Sequence, residues 1–273
     1  MGNDASKPKS KSTPNRSQPK PATDHKRTTD NQLNTASKTG TLNISNKGLH
    51  ELPKGIENLT NLRQINASKN KLNNQAIAIL SKLPNLQKID LSHNQISDFS
   101  LLFQLQKLKS LDISHNSIIR LPQVGMGKNL TKVDMSFNKV TSLQQDNLTT
   151  INQNNENSNN FFEGLNNLDL SNNSISSIPN NLSSSSLIEL NLNNNKISNL
   201  SASNFVENCK SLKVLRLKNN QLKITEFSKD FLEKSQVSTL EYEGNLFDGK
   251  NFKEMPGYDD LAERMTKLVM KKE

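Results

Sequence analysis

Along most of the chain, apolar residues come in pairs separated by one polar residue, and an asparagine follows each pair at a fixed distance. The clearest stretches are Leu86-Gln-Lys-Ile89-Asp-Leu91-Ser-His-Asn94-Gln-Ile96 and Leu108-Lys-Ser-Leu111-Asp-Ile113-Ser-His-Asn116-Ser-Ile118. Further copies of L-x-x-L-x-L-x-x-N-x-L centre on Ile65/Asn70, Val133/Asn138, Leu168/Asn173, Leu190/Asn195, Leu215/Asn220 and Leu240/Asn245. A degenerate first copy begins at Leu42, with Lys47 where the asparagine should stand. Measured between the first apolar residues of successive pairs, the steps are 23, 24, 22, 22, 35, 22, 25 and 25 residues. The alternation predicts a short strand in each copy, with both apolar side chains on one side and the polar residue between them on the other. One such coil cannot bury its own apolar set, so neighbours must stack and share a continuous core.

This is the spacing of a leucine-rich repeat. The fold class it predicts is an α/β solenoid, a leucine-rich repeat superhelix of about nine coils with a parallel, concave β-sheet and a C-terminal capping helix. Strands stacked about 4.8 Å apart give that sheet a length of roughly 40 Å, an expanse suited to a protein partner rather than an enzyme cleft. Asn70, Asn94, Asn116, Asn138, Asn173, Asn195, Asn220 and Asn245 are expected to satisfy backbone groups left unpaired in the buried turns. The polar, Ser-, Lys- and Pro-rich residues 1–35 read as a disordered tail, and 36–273 as the repeat domain. Within it, the 35-residue step contains the run Ile151-Asn-Gln-Asn-Asn-Glu-Asn-Ser-Asn-Asn160, so residues 144–160 read as a disordered Asn-rich loop. Pro256-Gly257-Tyr258-Asp259 leads into Leu261, Met265, Leu268 and Val269 on one helical face, which makes 256–273 the C-terminal cap.

Composition narrows the class. Only 32% of the chain is hydrophobic, there is no Trp, and 41 of 273 residues are Asn. No apolar run approaches the roughly 20 residues needed to cross a bilayer, and the N-terminus has no secretory pattern. The lone Cys209, just before a strand, is expected to be buried and structural. Asn43, Asn129 and Asn181 match glycosylation acceptors, but in an Asn- and Ser-rich chain without that pattern they carry no weight. Net charge is +9, and residues 1–35 hold seven cations against three anions. Without interleaved aromatics for base stacking, the basic tail favours an anionic surface over nucleic acid.

Outside the generic repeat, the chain resembles the leucine-rich repeat-containing protein 57 family over 36 to about 265. The matching segments are Ala36-Ser-Lys-Thr-Gly40, Leu187-Ile-Glu-Leu-Asn-Leu192, Leu212-Lys-Val-Leu-Arg-Leu217, Glu243-Gly-Asn-Leu-Phe247, Gly257-Tyr258-Asp259 and Glu263-Arg264. The Met1-Gly2-Asn3 start matches too, whereas the basic tail and the Asn-rich loop are departures. The resemblance implies an intracellular binding module with no catalytic residues and no cofactor, and it names no partner.

Candidate chemistry lies on the outward strand positions. The central column reads Asn43, Asn66, Asp90, Asp112, Asp134, Asp169, Asn191, Arg216 and Glu241. Its four consecutive carboxylates form a negative stripe able to receive Lys or Arg from a partner. Ser68, Ser92, Ser114, Ser136 and Ser171 run beside it, with Lys88 and Lys132 on the other flank. Lys88, Asp90, Asp112, Lys132, Asp134 and Asp169 are therefore the expected partner-binding residues, with the acidic side chains projecting into water. His93 and His115 occupy equivalent turns one coil apart. Two ligands fall short of a zinc site, and Phe137 takes the next position, so solvated turn histidines are expected and no metal.

The first residues speak to location. Met1-Gly2-Asn3-Asp4-Ala5-Ser6 fits the N-myristoylation pattern at Gly2. One acyl chain anchors only marginally, and Lys7, Lys9, Lys11, Arg16 and Lys20 would supply the second, electrostatic signal. The expected function is a non-enzymatic interaction module or adaptor, monomeric, cytoplasmic and peripherally membrane-associated. The alternative is a regulatory subunit of a signalling enzyme, in a phosphatase or small-GTPase pathway.

Overall fold

The computed structural model describes residues 22–122, 129–144, 162–179 and 182–270. Helix α1 (Ala22–Thr39) precedes β1 (Thr41–Asn43). There follow β2 (Gln64–Asn66), the short α2 (Asn74–Ile77), β3 (Lys88–Asp90), β4 (Ser110–Asp112) and β5 (Lys132–Asp134). Next come β6 (Asn167–Asp169), β7 (Glu189–Asn191), α3 (Ala202–Glu207) and β8 (Val214–Arg216). Helix α4 (Lys229–Lys234), β9 (Thr239–Glu241), α5 (Gly249–Lys253) and α6 (Tyr258–Met270) complete the chain.

The nine strands form one sheet whose order is the chain order. Each pair is parallel and in register, so Leu42, Ile65, Ile89, Leu111, Val133, Leu168, Leu190, Leu215 and Leu240 form a single buried row. A second row, which includes Ile44, Leu91, Ile113 and Leu217, is buried beside it. The flanking first and third residues of each strand form an open face.

The asparagines work as a ladder. Asn116 Nδ2 donates to Ile113 O and Ser114 O of its own coil and to Leu91 O of the coil before, while its Oδ1 accepts from Ile96 N. Asn138 and Asn173 repeat the arrangement one and two coils on. In the degenerate first coil, Lys47 N and Leu49 N both donate to Asn70 Oδ1 of the next coil.

The expected boundary of the tail moves. Residues 22–35, read from composition as part of a disordered tail, lie in α1. Its last turns pack on the first coil, with Ala36 buried and Leu33 against the core. Gln32 Nε2 donates to Asn43 O, and Gly40, at a φ of 73° that favours glycine, ends the helix through its N–H to Ala36 O. Helix α1 therefore covers one end of the solenoid, as α6 covers the other through buried Leu261. Gly2, Lys7, Lys9, Lys11, Arg16, Lys20 and nearly all of the Asn-rich loop lie outside the described residues.

Among the described residues, no helix is long and apolar enough to cross a membrane. Cys209 is fully buried, and burial pushes its thiol up to about 11.

Candidate functional site

The strand register brings the expected site together. Asp90, Asp112, Asp134 and Asp169 stand opposite one another across β3, β4, β5 and β6, and Lys88 and Lys132 flank them with Ser110 between. A shallow concavity of about 150 Å³ lies over β5 to β7, lined in part by Lys132, Asp134, Asn167, Asp169 and Glu189.

The acids do not simply project into water as the sequence reading expected. In each coil one carboxylate oxygen turns back on the chain. Asp112 Oδ1 accepts from Ser114 N at 3.0 Å and from Ser114 Oγ at 2.7 Å, and Asp90, Asp134 and Asp169 hold Ser92, Ser136 and Ser171 in the same way. The serine column is correspondingly buried rather than offered to a partner. Asp169 is used up further, because Asn191 Nδ2 donates to its Oδ2 at 2.8 Å. Among the described residues, the stripe whose second oxygen has no hydrogen-bond partner therefore comprises Asp90, Asp112 and Asp134.

The contact with serine does not itself require that charge. Asn66 holds Ser68 through its Oδ1 with the same pair of hydrogen bonds and no charge. Burial raises the Asp112 carboxyl above its ordinary range despite the hydrogen bonds from Ser114, and Asp134 and Asp90 push it the same way. A raised acid pKa means that the native state binds the proton more tightly than the unfolded chain. The resulting penalty is absent at low pH and develops as pH rises through the native value. Asp112→Asn is thus expected to melt above wild type at neutral pH, with the difference vanishing at low pH where both states are protonated. A variant less stable than wild type at pH 7 would show that the fold requires the carboxylate.

Two further groupings were missed in the sequence. The residue just before each ladder position has positive φ: Asn46 ahead of Lys47 in the degenerate coil, then Lys69, His93, His115, Phe137, Asn172, Asn194 and Asn219, all between 53° and 57°. Gly244 holds the last such position, where a Cβ would stand 2.2 Å from Asn219 Oδ1. With no glycine in most copies, sequence gave no sign of this left-handed column. Within it the histidines, exposed at His93 and half-buried at His115, also stack: His93 on His115 at 3.9 Å between ring centroids, and His115 on Phe137 at 4.1 Å. The second grouping lies on the C-terminal coils. Arg216 pairs with Glu189 and, at 3.0 Å, with Glu241; Lys218 reaches Glu241 and Glu243; and Asn167 donates to Glu189. The carboxylates outweigh burial and raise the Arg216 guanidinium. Acids and bases there are mutually satisfied, which leaves the middle coils as the open, unbalanced part of the face. Among the described residues, no group of three His, Cys, Asp or Glu is placed to hold a metal.

Family models for leucine-rich repeats match two parts of the chain, one of two copies over residues 84–123 and one over 164–185. The first covers Asp90 and Asp112, the second Asp169 and the start of the following coil, and Asp134 lies between them. The fold is a leucine-rich-repeat solenoid. Among solved structures, internalin C2 from Listeria monocytogenes is similar at a TM-score of 0.60 and 22% identity, covering 78% of this chain and 91% of that one. The leucine-rich repeat domain of APL1B is similar at 0.57 and 16%, covering 84% of this chain and 65% of that one. At those identities the likeness concerns the fold alone. No curated protein matches the sequence. Leucine-rich-repeat domains in general mediate protein–protein interaction, so attention falls on the open face of this one.

Proposed function

We propose that the chain is a non-enzymatic protein-binding module whose contact surface is the middle of the concave face, centred on Asp90, Asp112 and Asp134 and flanked by Lys88 and Lys132. The observation that carries this reading is the surplus charge. Asn66 does the structural work of these residues without a carboxylate, and Asp112 sits above its ordinary range because burial disfavours the charge. A repeat that keeps charges its serine contacts do not require, at a small cost in stability, fits a surface selected for a cationic partner.

Replacing Asp90, Asp112 and Asp134 with Asn leaves an acceptor for each serine and removes only charge. Partner recovery from lysate by affinity capture is expected to fall at least about tenfold, as loss of close charge pairs across an interface costs more than 1.4 kcal/mol. The melting temperature should not fall. Undiminished recovery by the folded triple variant would move the interface off this face. Recovery of one stoichiometric phosphatase or small-GTPase regulator would assign the chain as its regulatory subunit.

The second part of the proposal is place. Myristoylation at Gly2 together with Lys7, Lys9, Lys11, Arg16 and Lys20 would hold the module at a cytoplasmic membrane face as a peripheral, monomeric protein. A myristoyl chain alone binds with a constant of about 10⁴ M⁻¹, and each nearby base adds up to about 1 kcal/mol at an anionic leaflet. On fractionation, Gly2→Ala should shift the protein to the soluble pool, and a variant with those five bases changed to Gln should follow it. Equal membrane retention of Gly2→Ala would remove the anchor from the proposal.

Kinship with the leucine-rich repeat-containing protein 57 family belongs to the same reading. Two of its supporting segments, Leu187–Leu192 and Leu212–Leu217, build β7 and β8, and the others have work at the two ends of the solenoid. Gly40 ends α1, Gly244 takes the crowded left-handed turn, Phe247 joins an aromatic cluster, and Arg264 fastens α6.

A further inference from the structure

Phe137 is out of place by every ordinary criterion. A bulky aromatic residue with φ of 54° is a conformational outlier, and such strain persists where something else requires the side chain. Asn46, Asn172, Asn194 and Asn219 show that this turn is served by asparagine, which tolerates the left-handed region at less cost. The ring does not fill the core, for 47% of its surface faces water. It ends a stack that starts at His93 and runs through His115, with interplanar angles of 11° and 8°. Asn172, the next side chain in the column, is too short to cover it.

The charge nearest the exposed ring is acidic, although Lys69 precedes His93 in the same column and Lys132 lies two residues before Asp134. Asp134 stands in the same coil and Asp112 in the coil before, each with one oxygen held by its serine and the other without a hydrogen-bond partner among the described residues. Asp112 and Asp134 precede His115 and Phe137 by three residues on strands paired in register, so stripe and stack run side by side. Burial and the neighbouring His93 hold the His115 imidazole below its ordinary range, which makes the middle of the stack a neutral π surface at pH 7. A neutral aromatic face next to carboxylates suits a planar cation that can stack and donate hydrogen bonds together. Guanidinium does both, whereas an ammonium group is a strongly hydrated point charge.

Resting on the concave-face reading above, we propose that this platform is a specificity pocket for an arginine side chain of the protein partner, stacked against the open face of Phe137 with its guanidinium paired to Asp134. The partner thus presents an arginine-bearing segment to the middle coils, and Phe137 selects arginine over lysine.

The test uses the full chain and two probes, acetylated hexa-arginine amide and acetylated hexalysine amide, titrated at low ionic strength. Guanidinium gains a general advantage on any acidic surface, so the informative quantity is the ratio of the two affinities in wild type against Phe137→Asn. A cation–π contact of ordinary strength makes that ratio fall about fivefold in the variant, while Phe137→Tyr keeps it. The ring protons of Phe137 and His115 should shift with hexa-arginine in wild type. Phe137→Asn carries the residue already used in this turn and is expected to melt no lower than wild type. An unchanged ratio, or ring signals that do not move, overturns the pocket. Capture of the cellular partner separates this failure from that of the broader reading. If the triple Asp→Asn variant loses the partner and Phe137→Asn keeps it, the arginine pocket is wrong and the concave-face interface stands. If neither variant loses it, both are wrong.

Discussion

Asn116→Ala is expected to cost about 3 kcal/mol and to lower the melting temperature by roughly 8 °C. The side chain is 8% exposed and sits between two coils. Its removal deprives Leu91 O, Ile113 O and Ser114 O of a donor and leaves Ile96 N without its acceptor. The losses are unequal. Leu91 O still accepts from Asn94 Nδ2, and Ile113 O from Asn138 Nδ2, because each of these carbonyls is served by the ladder residue of its own coil and that of the next. Ile96 N has no such second partner, and a buried N–H without one accounts for most of the cost. Asn116→Asp separates donation from shape. It retains an acceptor for Ile96 N but turns a carboxylate toward three carbonyl oxygens, so it should destabilise at least as much as alanine. If Asn116→Ala melts with wild type, the ladder contributes nothing to stability. If Asn116→Asp does, the three amide donations are dispensable.

The ladder was legible in the sequence because a solenoid repeats one solution in every coil. The strand, the inward pair and the asparagine recur at a step of 22 to 25 residues in all but the interrupted coil, so their roles could be read from spacing. What does not recur was hidden. Helix α1 was lost because its sequence, apart from Leu33 and Ala36 that pack on the core, has the polar composition of a tail. The aspartates were placed on the correct face, but the local Asp-x-Ser hydrogen bonds that half-consume them are a two-residue motif with no period of its own. The left-handed column escaped for a related reason. Its occupants, His, Phe, Asn and Lys, share a backbone conformation and no side-chain chemistry. The C-terminal cap was legible from the apolar face of its helix, whereas the segments of the resemblance at Glu243 to Phe247, at Gly257 to Asp259 and at Glu263-Arg264 had no spacing rule to explain them.

The packing of that cap supplies the reason, and with it a prediction of comparable size. Phe252, fully buried in α5, lies at the centre of an aromatic cluster, with ring centroids at 5.0 Å from Phe227, 4.4 Å from Tyr242, 5.4 Å from Phe247 and 5.7 Å from Tyr258. Helix α5 is only five residues long, anchored by Asp248 Oδ1 accepting from Lys250 N, so it has little stability apart from this packing. Arg264 adds the outer fastening, donating to Glu233 O at 3.0 Å, to Val237 O at 3.1 Å and to Leu232 O, and so joins α6 to the end of α4. Phe252→Ala should therefore cost about 4 kcal/mol, the usual price of emptying a buried phenylalanine site. The damage should not be uniform. Coils in a solenoid contact only their neighbours, so loss of a terminal cap opens the structure from that end. Native-state hydrogen exchange is expected to show the amides of β8 and β9 losing protection first, those of β6 and β7 less, and those of β2 to β4 hardly at all. Equal loss of protection along the whole sheet would show that the coils unfold as one cooperative unit. Unchanged protection of β9 would show that the aromatic cluster does not hold the end closed.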